Sequence, residues 1–291
     1  NSGFEFAATW KDKIGAVDYW VSGNFATLKN VVYNIGAADA TGNKPVWTDG
    51  GTFKDLNPYR TEEGQPLYSF YLVKSEGVFK TQSEIDNYKN ADGKLIQPKA
   101  QVGDLKFIDK NGNGSIDSGD KEFMGNAMPK FTYAFSTGFN WNKLSFSMML
   151  QGVANTKIFN AYKFLTLNES VSNFNRSREI LKALDGPNNA VPRISASDPN
   201  GNFSTVSDYY LENGSYLRVK NVTVGYSLTS LLQKWNYLAS RNSSLDLTFS
   251  VDNLATITSY SGIDPEVGGV GLDGGQYPIA RTFSLGLKLK F

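Results

Sequence analysis

The chain has 291 residues, with 29 Lys and Arg against 28 Asp and Glu, so its formal charge of +1 offers no electrostatic footprint for nucleic acid. It contains no cysteine and no histidine, which excludes thiol nucleophiles, imidazole general bases, Ser-His hydrolysis and His- or Cys-ligated zinc or haem. A mean hydropathy of -0.34, with no apolar run near the ~20 residues of a transmembrane helix, reads as soluble unless the chain crosses a membrane with alternating strands.

The opening Asn1-Ser-Gly-Phe-Glu-Phe starts inside a strand pattern with no signal peptide ahead of it, which is expected of a portion of something longer. Phe4, Phe6, Ala8 and Trp10 share one face of an extended chain, because side chains alternate with period two. A turn is expected over 11–15 and a second strand over 17–29. Residues 30–66, rich in Gly, Asn, Asp, Thr and Pro, read as a long loop. Residues 67–73 read as an aromatic strand, 81–89 as a short helix capped by Thr81 or Ser83, and 103–108 as a further strand.

Next, Phe131, Tyr133, Phe135, Phe139 and Trp141 line one face of a strand with aromatics at both ends, resembling the two interfacial girdles of a membrane barrel. A tight turn at Asn142-Lys143 leads back through Leu144, Phe146, Met148 and Leu150. Residues 153–212 form a second long polar stretch, with a helix expected near Arg176 to Leu184. In the strand over 216–228, uninterrupted alternation puts Arg218 and Lys220 on the same face as Val222, Val224, Tyr226 and Leu228. A barrel would then hold both cations above the lipid, since a midplane Arg or Lys costs ~2–4 kcal/mol. Leu245, Leu247, Phe249 and Val251 mark the penultimate strand, a Gly-rich loop follows over 259–276, and Phe283, Leu285, Leu287, Leu289 and Phe291 make one face of the last strand wholly apolar.

Barrels of the outer membrane keep turns short on the periplasmic side and loops long outside. Counting back from a periplasmic Phe291 puts 255–279 outside, 229–242 inside, 153–212 outside and 142–143 inside. Counting forward puts 11–15 inside and 30–66 outside. The two counts agree if 103–108 crosses upward, which gives about nine barrel strands, with 109–130 outside and 75–102 inside. Ser83 tests that count, since it must then lie on the periplasmic side. An odd, open sheet leaves both edges unpaired, so more polypeptide must complete it.

One loop has metal-ligand spacing. Asp109, Asn111, Asn113, the Ser115 carbonyl, Asp117 and Asp120 stand at positions 1, 3, 5, 7, 9 and 12 of an EF-hand-like loop with Gly114 at its turn, which expects Ca2+. Asp at the last position is shorter than the usual bidentate Glu, and only three of these side chains carry charge. A metal-free Asn-Gly turn held by side-chain hydrogen bonds has the same signature. Asp264, Glu266 and Asp273 invite pairing as catalytic carboxylates, yet nothing fixes their spacing and a polar flexible loop explains them better. Tyr209, Tyr210, Tyr216 and the aromatics of 30–66 fit ligand stacking and loop packing equally.

A set of segments in order, including Arg60-Thr-Glu-Glu-Gly, Ser75-Glu-Gly-Val-Phe79, Gly103-Asp-Leu-Lys-Phe, Asp109-Lys-Asn-Gly-Asn-Gly-Ser-Ile-Asp117, Pro129-Lys-Phe-Thr-Tyr133, Gln151-Gly152, Val251-Asp-Asn-Leu254, Tyr260-Ser-Gly-Ile-Asp-Pro-Glu266 and Arg281-Thr-Phe-Ser…Phe291, closely resembles the C-terminal portion of SusC/RagA-type TonB-dependent transporters of Bacteroidetes. The resemblance covers nearly all of residues 1–291. It implies an all-β, antiparallel transmembrane β-barrel of about 22 strands, to which this chain contributes the last ones with long extracellular loops. The plug, the N-terminal segments and the TonB-contacting part have no counterpart here. It also implies an outer-membrane location, a SusD-like surface lipoprotein as lid, TonB as energy source through the missing part, and import of oligosaccharides or oligopeptides rather than catalysis. The alternative from a different class is a secreted all-β carbohydrate-binding or adhesive domain with a structural calcium loop. The two differ in what their apolar strand faces touch.

Overall fold

The computed structural model describes residues 1–187, 191–232 and 243–291. Glu5–Ile14 (β1) and Val17–Thr27 (β2) form a hairpin whose turn is Gly15-Ala16, with Gly15 at a φ of 60° that a side chain would strain. Strand pairing therefore runs through 11–14, where a turn was expected, because Lys11, Asp12 and Lys13 find cross-strand partners in Trp20, Tyr19 and Asp18. The following segment holds the short strands Tyr59–Arg60 (β3), Ser69–Val73 (β4) and Ser75–Val78 (β5), the helix Gln82–Asn87 (α1), and the strands Leu105–Phe107 (β6) and Lys121–Phe123 (β7). Thr81 caps α1 by accepting from the Glu84 N–H.

Phe131–Trp141 (β8) and Leu144–Ala154 (β9) form the second hairpin, with Asn142 at a φ of 50° in its tight turn. The second long segment carries Lys157–Asn160 (β10), the helix Tyr162–Thr166 (α2), a 3-10 turn over Arg178–Asp185 and Leu211–Asn213 (β11). Tyr216–Ser227 (β12), the helix Thr229–Leu232 (α3), Ser244–Thr258 (β13), Leu272–Asp273 (β14) and Thr282–Lys290 (β15) complete the chain. Most of the expected 229–242 turn lies outside the described residues.

One antiparallel sheet dominates, in the order β1-β2-β8-β9-β12-β13-β15. Its strands run from 9 residues in β15 to 15 in β13, reaching the ~9–11 residues that a tilted membrane-crossing strand needs. The register brings every apolar alternation onto one face. Across the middle of the sheet, Trp10 stands opposite Val21, Phe139 opposite Phe146, Val224 opposite both Phe146 and Phe249, and Phe249 opposite Leu285. The other face carries Ser22 opposite Ser136, and Ser147, Thr223, Ser250 and Ser284 in a second registered row. A one-residue slip in any strand would exchange the faces, so the alternation itself pins the register.

The apolar face stays uncovered: Trp10 is 64% exposed, Phe249 46% and Leu285 75%. A soluble sandwich would bury it against a second sheet. The buried cores lie elsewhere. Leu56, Tyr59, Phe70, Leu72, Phe159 and Tyr210 belong to the larger one, and Val73, Val78, Leu105 and Phe107 form the smaller. All ten residues come from the long connections, so the loops fold as a packed body at one end of a wall.

That wall has seven strands where nine were expected. Residues 67–73 do not cross. In β4, Phe70 and Leu72 are fully buried and Ser69 and Val73 nearly so, which suits a strand inside a protein core and lacks the alternation of a strand between lipid and water. β6 has three residues, a reach of ~10 Å at ~3.3 Å per residue, too short for a bilayer. The segment from 28 to 130 is therefore one excursion from the end of the wall at which Thr27 pairs with Phe131. The expected periplasmic placement of 75–102 fails with it. Ser83 sits in α1, and the surrounding residues bind the second long loop through Gln97 to Asn200 (3.0 Å) and Asn202 to Asp104 (2.8 Å).

A second correction concerns Arg218. β12 and its neighbours change register between Val219 and Asn221, leaving Lys220 as a bulge. The extra residue reverses the alternation, so Val219 joins the apolar face opposite Leu150, while Arg218 turns to the polar face opposite Gln151. The alternation rule holds on each side of the bulge and fails across it.

Candidate functional site

All three long connections, 28–130, 155–215 and 259–281, leave the same end of the wall, while Gly15-Ala16, Asn142-Lys143 and the α3 segment turn at the other. Side chains tie the three into one body. Ser75 donates to Asp208 from its backbone N–H (3.0 Å) and its hydroxyl (2.7 Å), and Val73 bridges Ser207. Burial pushes the Asp208 carboxyl up, against the pull of those two donors. β10 pairs in parallel with β14, joining the second connection to the third. Gly271, at a φ of 80°, lies where an added Cβ would strike Ala127, so a larger residue cannot replace it without separating these segments.

Among the described residues the largest fully buried side chain is a charged one, Arg218, only 2% exposed. Its Nη2 binds Asp264 (2.5 Å), its Nη1 binds Glu266 (2.7 Å), and its Nε donates to the Thr256 hydroxyl (2.9 Å). Two carboxylates and a hydroxyl thus occupy all three nitrogens of the guanidinium, which also lies 5.4 Å from the centre of the Tyr216 ring. Although burial raises the Asp264 carboxyl, the Glu266 N–H and Arg218 hold it below the usual carboxylate range overall. A second ion pair joins Lys163 to Glu212 (2.8 Å). Ser261 donates to Glu212 from its N–H (2.8 Å) and its hydroxyl (2.7 Å). Tyr260 donates to Asp273 (2.5 Å). The third connection is therefore pinned to the polar face of the wall and to the loop beside it.

These contacts reassign the carboxylates that sequence reasoning considered for catalysis. Asp264 and Glu266 both hold Arg218, and Asp273 accepts from the Tyr260 hydroxyl. The tyrosines resolve likewise. Tyr210 is fully buried with its hydroxyl on the Phe203 carbonyl (2.7 Å), Tyr209 meets its ring edge-on, and Tyr216 is 6% exposed. Arg218 was visible in the sequence only as a cation on the wrong face. Its partners, 46 and 48 residues away, leave no local signal.

In the 109–120 loop, the expected ligands are turned to backbone donors. Asp109 accepts from Gly112 and Gly114 (both 2.8 Å). Asn111 accepts from the Asn113 N–H (2.9 Å), and Asn113 from Ser115 (2.9 Å). Asp117 accepts from Gly119 (2.6 Å) and Asn113 Nδ2 (2.7 Å), and Asp120 from Lys110 (2.9 Å) and the Asp117 N–H (2.7 Å). The Asn113 and Gly119 bonds hold Asp117 below its ordinary range. Among the described residues, no group of three or more acidic side chains converges as a metal cage.

With this geometry in place, the relatives are informative. No family model matches the chain. It is 28% identical to TonB-dependent receptor P3 of Formosa agariphila, over 100% of its own length and 28% of that protein. It is 32% identical to TonB-dependent receptor SusC of Bacteroides thetaiotaomicron, over 64% of this chain and 17% of SusC. Over its whole length the chain is similar to TonB-dependent receptors, SusC among them. A solved structure of the RagAB peptide importer in its open-open state superposes with a TM-score of 0.72 at 22% identity, covering 99% of this chain and 28% of that one, and so shares the fold. The closed-closed state gives 0.73 at 21% identity. The chain therefore spans less than a third of the length of these relatives, and its seven strands form an open piece of wall.

Proposed function

We propose that this chain supplies wall and outer mouth to a TonB-dependent importer of the outer membrane, carrying oligosaccharides or oligopeptides in concert with a SusD-like surface lipoprotein. The observation that carries the reading is the separation of its surfaces. One face of seven registered strands is apolar and uncovered, the opposite face is polar, and every long loop packs at one end. Lipid satisfies the first, a water-filled or plugged lumen the second, and an extracellular mouth the third. The relatives' names support TonB coupling, and RagAB, named as a peptide importer, supports an oligopeptide among the cargo classes. A secreted binding domain would leave the apolar face without a partner.

Intact mass and copurification from detergent-solubilised outer membranes test this reading. The expected result is a much longer polypeptide containing this chain, together with a lipoprotein partner. A lone 32.0 kDa species, stable without detergent, would overturn it.

We propose calcium as a secondary ligand of the same mouth, held by Asp109, Asn111, Asn113, Ser115, Asp117 and Asp120. The spacing and the all-oxygen donor set support it. The loop's present hydrogen bonds oppose it, since Asp109 and Asp117 must exchange N–H donors for the ion. Calorimetry of the intact complex should give a saturable heat with calcium that Asp109→Ala removes; no heat at millimolar metal discards the site.

A further inference from the structure

Where β1, β2 and β8 meet the loops, the surface opens into a cleft of about 750 Å³, inside the ~300–1,000 Å³ range of ligand clefts. Phe4, Leu28, Pro66, Met128 and Phe131 line it. Phe131 belongs to the apolar face as well: it pairs with Thr27 and stacks on Phe25 at 5.7 Å. Phe25 in turn stands opposite Phe6. The cleft is thus the upward continuation of the surface assigned to lipid.

Two cations stand at its rim. Lys29 and Lys130 both line the cleft and both are exposed. Their backbones are fixed, Lys29 by its bridge to Ser2 and Lys130 by accepting the Leu28 N–H (3.0 Å). Neither ammonium has an ion-pair partner among the described residues, whereas Lys44, Lys106, Lys110 and Lys163 each pair with a glutamate. A trough of apolar side chains below two unneutralised ammonium groups is complementary to an amphiphile whose acyl chain follows the wall and whose phosphate sits at the rim.

We propose that this cleft is a binding site for an anionic, phosphate-bearing membrane lipid, with Lys29 and Lys130 holding the headgroup and Phe4, Met128 and Phe131 the first methylenes of its tail. The site rests on the membrane-wall reading above, so its test must separate the two. The intact transporter with its partner is placed in phosphatidylcholine nanodiscs doped with phosphatidylglycerol, and retained lipid is read by native mass spectrometry.

The wild type should retain phosphatidylglycerol in preference to phosphatidylcholine. A Lys29→Gln/Lys130→Gln variant, recovered in nanodiscs at the wild-type yield, should retain roughly thirtyfold less, the loss expected for two cations at a membrane surface. Met128→Trp, which fills the cleft and keeps both charges, should also reduce retention. Inorganic phosphate alone should not displace the lipid. Equal retention by wild type and the double lysine variant overturns the site while leaving the wall reading intact. Wild-type complex that carries no preferred lipid overturns it too. Failure of the wild type to enter nanodiscs strikes the wall reading itself.

Discussion

Replacing Arg218 with methionine should release the third long connection from the wall. The substitution keeps much of the side-chain length but leaves Asp264 and Glu266 facing each other without a cation. Removing one partner from a buried ion pair costs about 3–5 kcal/mol. The lower end applies here, because the Glu266 side chain is 36% exposed and can recover some hydration. The chain contains no cysteine, so a nitroxide on Gly268→Cys reports from a single site in it; an added Cβ there meets nothing within 4 Å. The label should be slow in the parent and fast in Arg218→Met, and a triple variant that adds Asp264→Asn and Glu266→Gln should regain most of the restraint. An unchanged spectrum in Arg218→Met would mean that β14 and the Glu212 contacts hold the loop unaided.

The same label has a defined acid response. The Asp264 carboxyl is depressed in the folded protein, so its contribution is present above its ordinary value of 3.8 and lost as pH falls through the lower folded value. Loosening should therefore begin only below about pH 4.

Leu285→Arg should abolish assembly in the outer membrane, while Ser284→Arg, one residue away, should be tolerated. Leu285 lies in the middle of β15 opposite Phe249 on the apolar face, and Ser284 pairs with Ser250 on the polar face. An arginine near the bilayer midplane costs ~2–4 kcal/mol, and facing an aqueous lumen it costs little. Leu285 is 75% exposed, so in a water-soluble protein the substitution would be close to neutral, as at other surface positions. Membrane fractionation of the two variants in the full-length transporter reads the difference. Equal recovery of both from the membrane would remove lipid from the apolar face.

The wall was legible because its information is local. Period-two alternation within each of β1, β2, β8, β9, β13 and β15 assigns the faces before any partner is known, and the two tight turns set which strands are neighbours. The strand count went astray at β4 and β6, where a short apolar segment has the same composition whether it crosses lipid or fills a core. Periodicity cannot separate those environments over three to five residues.

The packing of the loop body could not be read, beyond short local elements such as the Thr81-capped helix, since its contacts join distant positions: the hydroxyl of Tyr59 reaches the carbonyl of Val270 across 211 residues, and Ser75 reaches Asp208 across 133. Alternation along the chain, a property of backbone geometry, determined by itself that this is an amphipathic wall with long connections. Only the tertiary structure decided that the connections pack together around shared buried cores. It also decided that the bulge at Lys220 turns Arg218 from the apolar face to the polar one, because a bulge is a mismatch between two strands and is written in neither of them alone.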